Sequence, residues 1–245
     1  MIWSLPRTRD ERLALALDYP YDAPAGSYHL NRGEVDPLDS AEAAHLTEGR
    51  TAVLAHGSNR APAHLLRKFG PEASLPVTYG WLSGYDVVFG AHVARYGAIT
   101  ATLASAPGCR VRLAATWLTS EQLALMHESE RMNYTYGRLP AAAFAAEVGP
   151  EPEELTLYAG NQGALLLDGQ PVGLAALEAQ GRPHPALTQR ALQRQLHPGP
   201  GLEETLLARM EDRALRAAFA ASLIGQGLDA LTGFEPLARL DGAFA

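Results

Sequence analysis

Between Thr51 and Leu118 the sequence is a succession of β-like runs cut by glycines, and this most constrains the fold. Thr51-Ala-Val-Leu-Ala-His56 is a short apolar run ending at Gly57, as a buried strand does. Pro62 then stands where the first turn of a helix tolerates it, so the reading is strand, loop, and helix from about Ala61 to Phe69. Val77 to Phe89 and Ile99 to Leu103 are rich in β-branched and aromatic residues. Arg110 to Leu118 alternates, with Val111, Leu113, Ala115 and Trp117 facing one way. A sheet with helices set against it follows, an α+β class.

The flanks read differently. Residues 1–48 are punctuated by Tyr19-Pro20-Tyr21, Pro24, Gly26, Gly33 and Pro37, which predicts turns and one short helix over Asp10 to Leu17, an N-terminal extension packed on a core domain of residues 49–180. Thr119 with Gln122 three residues on has capping-box spacing, so a helix should run from near Ser120 to about Arg131. Pro140 to Val148 suggests a short helical turn, and Leu155 to Tyr158, Ala164 to Leu167 and Val172 to Leu177 suggest short strands, with Asp168-Gly169 as a hairpin signal. Residues 181–245 form a helical C-terminal segment: one helix to about Leu196, a Pro-Gly-Pro-Gly break at 198–201, then one long amphipathic helix from Glu203 to about Gly225.

Composition removes several classes of function. A chain of 245 residues that is 47% hydrophobic can bury a sizeable core without staples, and its single cysteine, Cys109, rules out both a disulfide framework and a Cys-rich zinc site. With 27 acidic against 20 basic residues the net charge is −7, which argues against a nucleic-acid surface. The longest apolar stretches, such as Ala217 to Gly225, are too short to span a bilayer, and no signal-peptide core is visible, so a cytoplasmic protein is expected. Lys68 is the only lysine, so almost all positive charge sits on arginine.

Three places are candidates for chemistry. The first is His56-Gly57-Ser58-Asn59, at a strand-to-helix junction where outward backbone amides suit an anion or developing oxyanion; the alternative is a tight turn in which Ser58 or Asn59 caps the helix. The second is Glu130, which helical spacing puts on the side of Leu123, Met126 and His127, while Glu128 projects to solvent. A carboxylate there should have a raised pKa suited to acid–base work, unless an arginine pairs with it. The third is a set of tyrosines, Tyr134, Tyr136 and Tyr158, able either to line a pocket or to fill a core. No metal-ligand spacing, Walker loop or hydrolase elbow occurs.

In order and spacing these features resemble the γ-glutamylcyclotransferase-like (AIG2-like) family. His56-Gly57-Ser58-Asn59 resembles its Tyr-Gly-Ser-Asn signature, Tyr96-Gly97-Ala98-Ile99-Thr100-Ala101-Thr102-Leu103 its Gly-Gly-x-x-Ala-Thr segment, and Met126-His127-Glu128-Ser129-Glu130 its Leu-Asp-x-x-Glu helix ending. The resemblance spans about residues 51–177 and implies a small mixed β-barrel with flanking helices. It also implies conversion of a γ-glutamyl amine or peptide to 5-oxoproline, Glu130 as acid/base, and substrate held by residues 56–59, with Tyr158 at a pocket-tyrosine position; Tyr134 joins them as a substrate-binding candidate from its place after the helix. No cofactor or metal is implied. His56 in place of the signature tyrosine and Ala98 in place of the second glycine are departures. The front extension and helical tail lie outside the resemblance, free to cover the cavity, form a homodimer or bind a partner. The competing readings are a carboxylate-binding or regulatory module on the same fold, and an amidase or acyltransferase using Ser58.

Overall fold

The structure, a computed structural model, describes residues 5–239. Two strands of 20 residues, β4 (Ser74–Val93) and β5 (Ile99–Leu118), form one antiparallel hairpin that carries the sheet. The sequence broke this region into separate runs because Ala106-Pro107-Gly108 reads as a turn. β5 instead continues through it: Gly108 takes φ +83°, Gly84 on β4 takes +85°, and the register shifts between Ser83 and Tyr85. Left-handed glycines at a bulge bend a strand pair without ending it.

On the far side of β5 lies β3 (Thr51–Ala55), antiparallel to it; β3 is parallel to β8 (Leu155–Gly160), and β8 is antiparallel to β6 (Tyr134–Leu139). The other edge of β4 receives β1 (Tyr28–Asn31), β7 (Phe144–Ala146) and Gly173–Leu174 in turn. The result is a mixed sheet of 12 strands with seven α-helices among the described residues. Its hydrogen-bonded path is open, running from Ala186–Leu187 at one end to Glu235–Arg239 at the other, so the small closed barrel expected from sequence is not formed by the pairing of these strands.

One face of the sheet buries Leu82, Phe89, Ile99, Leu113 and Leu157. A second cluster, with Tyr28, Val53, Leu65, Leu75 and Met126, seats α3 (Pro62–Phe69) and α4 (Ser120–Glu130). Both helices start and stop close to where the sequence put them, because Pro62 and the Thr119–Gln122 capping box fix their first turns.

The flanks depart further from expectation. The front segment holds α1 (Arg9–Leu17), as expected, but also the hairpin of β1 with β2 (Glu34–Pro37) and α2 (Ser40–Thr47), opened by an Asp39–Glu42 capping box that the sequence reading passed over. Residues 140–148 form a 3₁₀ turn at Ala141–Ala143 followed by β7, and not a helix alone. The single long tail helix is two, α6 (Leu202–Glu211) and α7 (Arg213–Ser222): Asp212 turns its carboxylate onto the amides of Ala214 and Leu215 and starts a new helix. α5 (Gln189–Leu196) precedes them. α6 packs Leu206 and Met210 on Leu13, Ala16 and Leu17 of α1, so front and tail meet. No described helix is long and apolar enough to cross a membrane.

Candidate active site

β3 delivers the chain into the cavity wall. Its buried run ends at Ala55, and Gly57 at φ −138°, ψ −134° turns it into a 3₁₀ turn, Ser58–Arg60, ahead of α3. A side chain at 57 is impossible without rearrangement, because a Cβ there would overlap the Tyr19 hydroxyl. Opposite in sequence but adjacent in space, α4 runs out at Glu130, one turn after the fully buried Met126. The two elements face a cavity of about 510 Å³ lined by His56, Gly57, Ser58, Asn59, Glu130, Tyr134 and Tyr158, each named from sequence. Tyr136 does not line it; its ring lies edge-on to His127 at 4.6 Å.

Glu130 is neither unpaired nor paired with an arginine. Lys68 Nζ donates to Glu130 Oε1 at 2.5 Å, to Asn59 Oδ1 at 2.9 Å and approaches Met126 Sδ at 3.0 Å, while Asn59 Nδ2 donates to Oε1 at 3.3 Å. An ammonium has three protons, and here three acceptors surround it. The side chains are 9% and 15% exposed, so the pair sits in the wall. The expected rise of the Glu130 pKa is therefore overturned: burial pushes it up, but the charge and hydrogen bond of Lys68, helped by Asn59, bring it below the usual carboxylate value. The hydrogen bonds from described residues all fall on Oε1, and none falls on Oε2.

The tyrosines expected from sequence are present but committed. Tyr134 donates to Thr100 Oγ1 at 2.7 Å, and the Tyr158 hydroxyl pairs with His127 Nδ1 at 2.8 Å. Three histidines share the wall, His56, His64 and His92, and burial holds them neutral with pKa values lowered to about 4, about 3 and about 4. No group of three or more His, Cys, Asp or Glu side chains among the described residues is placed to hold a metal. Glu128 is exposed, as expected, and stands at the cavity margin.

Sequence reasoning missed Lys68, Tyr19, His64, His92 and Tyr96, all of which line the cavity. For Lys68 a signal existed: it follows Leu65 by three positions on α3 and so shares its buried face. For Tyr19 none did, since nothing local ties the front segment to β5.

Comparison with known proteins returns no matching family model, no matching curated protein and no matching solved structure.

Proposed function

We propose that the protein is a γ-glutamylcyclotransferase-type enzyme, forming 5-oxoproline and a free amine from a γ-glutamyl amine or peptide. The observation that carries this reading is the meeting of Glu130 and the 56–59 loop, some seventy residues apart in sequence, on one cavity with Asn59 bonded to Glu130. The same reading takes the bent β4–β5 hairpin as giving the open sheet a curvature like that of the family's barrel.

The chemistry asks little beyond positioning. The γ-glutamyl group folds so that its α-nitrogen reaches its own γ-carbonyl carbon, and an intramolecular attack held in that geometry is already strongly accelerated. Glu130 Oε2 takes one proton from the α-ammonium. The amine then attacks, the bond from the γ-carbon to the leaving nitrogen breaks, and two protons in all pass, one at a time, over Glu130 from the attacking to the leaving nitrogen. Lys68 keeps Glu130 ionised and therefore ready to act first as base. The oxygen of the tetrahedral intermediate lies against the amides of the Gly57–Asn59 turn.

The Lys68 pair also favours a second reading, a binding module for a small carboxylate ligand, because Glu130 is satisfied without any substrate. The deciding experiment is 5-oxoproline release from γ-glutamyl amino acids, γ-glutamylamines and glutathione. Turnover that drops by roughly 10²- to 10⁴-fold in Glu130→Gln is the expected result. Unchanged turnover in that variant removes Glu130 from the mechanism, and binding without turnover leaves the second reading.

A further inference from the structure

Of the tyrosines around the cavity, one has a phenolic proton with nowhere to go. Tyr134 donates its proton to Thr100, and the Tyr158 hydroxyl is paired with His127. Tyr19 only accepts: the amide of Ala101 donates to its oxygen at 2.9 Å, and the hydroxyl donates to no described residue. It is 5% exposed and lies directly over Gly57, close enough that any Cβ there would displace it. The Ala101 bond occupies one lone pair and fixes the oxygen, which leaves the proton to the cavity that Tyr19 lines. Burial foremost, with Tyr96 and Glu130 nearby, raises its pKa far above neutrality, so it is a donor at every working pH.

Beside it in the same wall, the Nδ1 of His56 is buried without a partner, a second polar atom left open in a residue only 6% exposed. The charged side chains of the cavity lean one way: Arg67, Lys68, Arg95 and Arg131 against Glu128 and Glu130, in a chain of net charge −7. A buried neutral donor is suited to an anionic oxygen, since hydrogen bonds to charged acceptors are the stronger kind.

The geometry points to Tyr19 as a ligand-binding residue whose hydroxyl donates to a carboxylate seated in the cavity beside it. Only the identity of that carboxylate rests on the function proposed above: it would be the α-carboxylate of the γ-glutamyl group, which 5-oxoproline retains. The front segment, outside the family resemblance, thus supplies a working part of the site, and the chain closes its own pocket with a residue more than eighty positions from the β5 amide that orients it.

The test is 5-oxoproline binding by calorimetry to the whole chain, wild type against Tyr19→Phe, with Tyr85→Phe as control. Tyr85 is also a buried tyrosine with a bonded hydroxyl, but its partner is the carbonyl of Thr232, and it does not line the cavity. At least tenfold weaker binding in Tyr19→Phe, with Tyr85→Phe close to wild type, is expected. Equal affinity in a folded Tyr19→Phe overturns the inference, and continued turnover in that variant would leave the cyclotransferase reading standing. Weakened binding in a protein without turnover does the reverse. If wild-type protein does not bind 5-oxoproline, the carboxylate assignment is wrong, whatever its turnover. Should Tyr19→Phe fail to fold, a wild-type crystal soaked with 5-oxoproline decides: a carboxylate oxygen within hydrogen-bond distance of Tyr19 Oη supports the assignment, and one elsewhere overturns it.

Discussion

At the scale of single residues, Lys68 and Glu130 set the terms. Removing the ammonium while keeping the bulk, as in Lys68→Met, leaves a carboxylate in the wall with only Asn59 to satisfy it. Breaking a fully buried pair costs about 3–5 kcal/mol; with 15% of Glu130 exposed, a loss nearer 2–3 kcal/mol is expected by chemical denaturation. The Glu130 pKa should then rise, moving the acid limb of any pH–rate profile to higher pH, which a merely structural lysine would not do. In wild type the sign is the usual one for a carboxylate whose folded pKa is depressed. Its contribution is complete above the ordinary value of 4.5 and disappears as pH falls through the lower folded value. The histidines act earlier. His56, lowered to about 4 by burial, resists protonation when folded but not when unfolded, so stability is lost as pH falls below 6.5. At pH 5 this one residue accounts for up to ~2 kcal/mol, and His56→Phe should flatten the decline of Tm between pH 7 and 5 if the ring is accommodated.

At the scale of elements, what positions Glu130 is the start of its helix, not its end. Thr119 Oγ1 accepts from Gln122 N, Gln122 Oε1 accepts from Thr119 N, and the same Gln122 oxygen accepts from Arg50. Thr119→Ala should cost ~1 kcal/mol, measurable by urea titration, with Thr119→Ser recovering most of it. This helix was legible in the sequence because its signals are local: a cap, a capping partner, and a buried face containing Met126. The same holds for β3, Gly57 and α3, and for the Asp168–Gly169 hairpin, whose two residues both have positive φ. The missed features have distant causes. Whether Ala106-Pro107-Gly108 ends a strand or bends it depends on what β4 does opposite, and whether residues 203–225 form one helix or two depends on Asp212 capping in place of continuing. The Glu130 partner was missed for a related reason: with nineteen arginines the only pairing weighed was with an arginine, yet the one lysine lies on the right face of α3.

At the scale of the whole molecule, the first helix and the tail helix α6 hold each other. Arg9 pairs with Glu203 at 2.7 Å, Arg12 with Glu211 at 2.6 Å, and Leu206 is 1% exposed against α1. Exposed ion pairs contribute little, so the apolar contact between α1 and α6 dominates. Leu206→Ala should therefore cost ~2–4 kcal/mol, and its effect should spread to a distant place: protection from amide exchange should fall across α1 as well as α6. An effect confined to α6 would mean that the front segment is held by β1 and Tyr19 alone. The front segment adds a strand to the sheet through β1 and a wall to the cavity through Tyr19.

A solitary lysine gives the protein a built-in spectroscopic address. Reductive methylation with ¹³C-formaldehyde modifies amines and spares guanidinium groups, so apart from the terminal amine this chain offers one position for the label, Lys68. Its dimethylammonium resonance would report directly on the Glu130 pair, and because the side chain is only 9% exposed, the rate of labelling would itself measure how often the pair opens. A ligand that seats against Glu130 should slow that chemistry and shift that single peak, so occupancy of the cavity can be followed without knowing in advance what fills it.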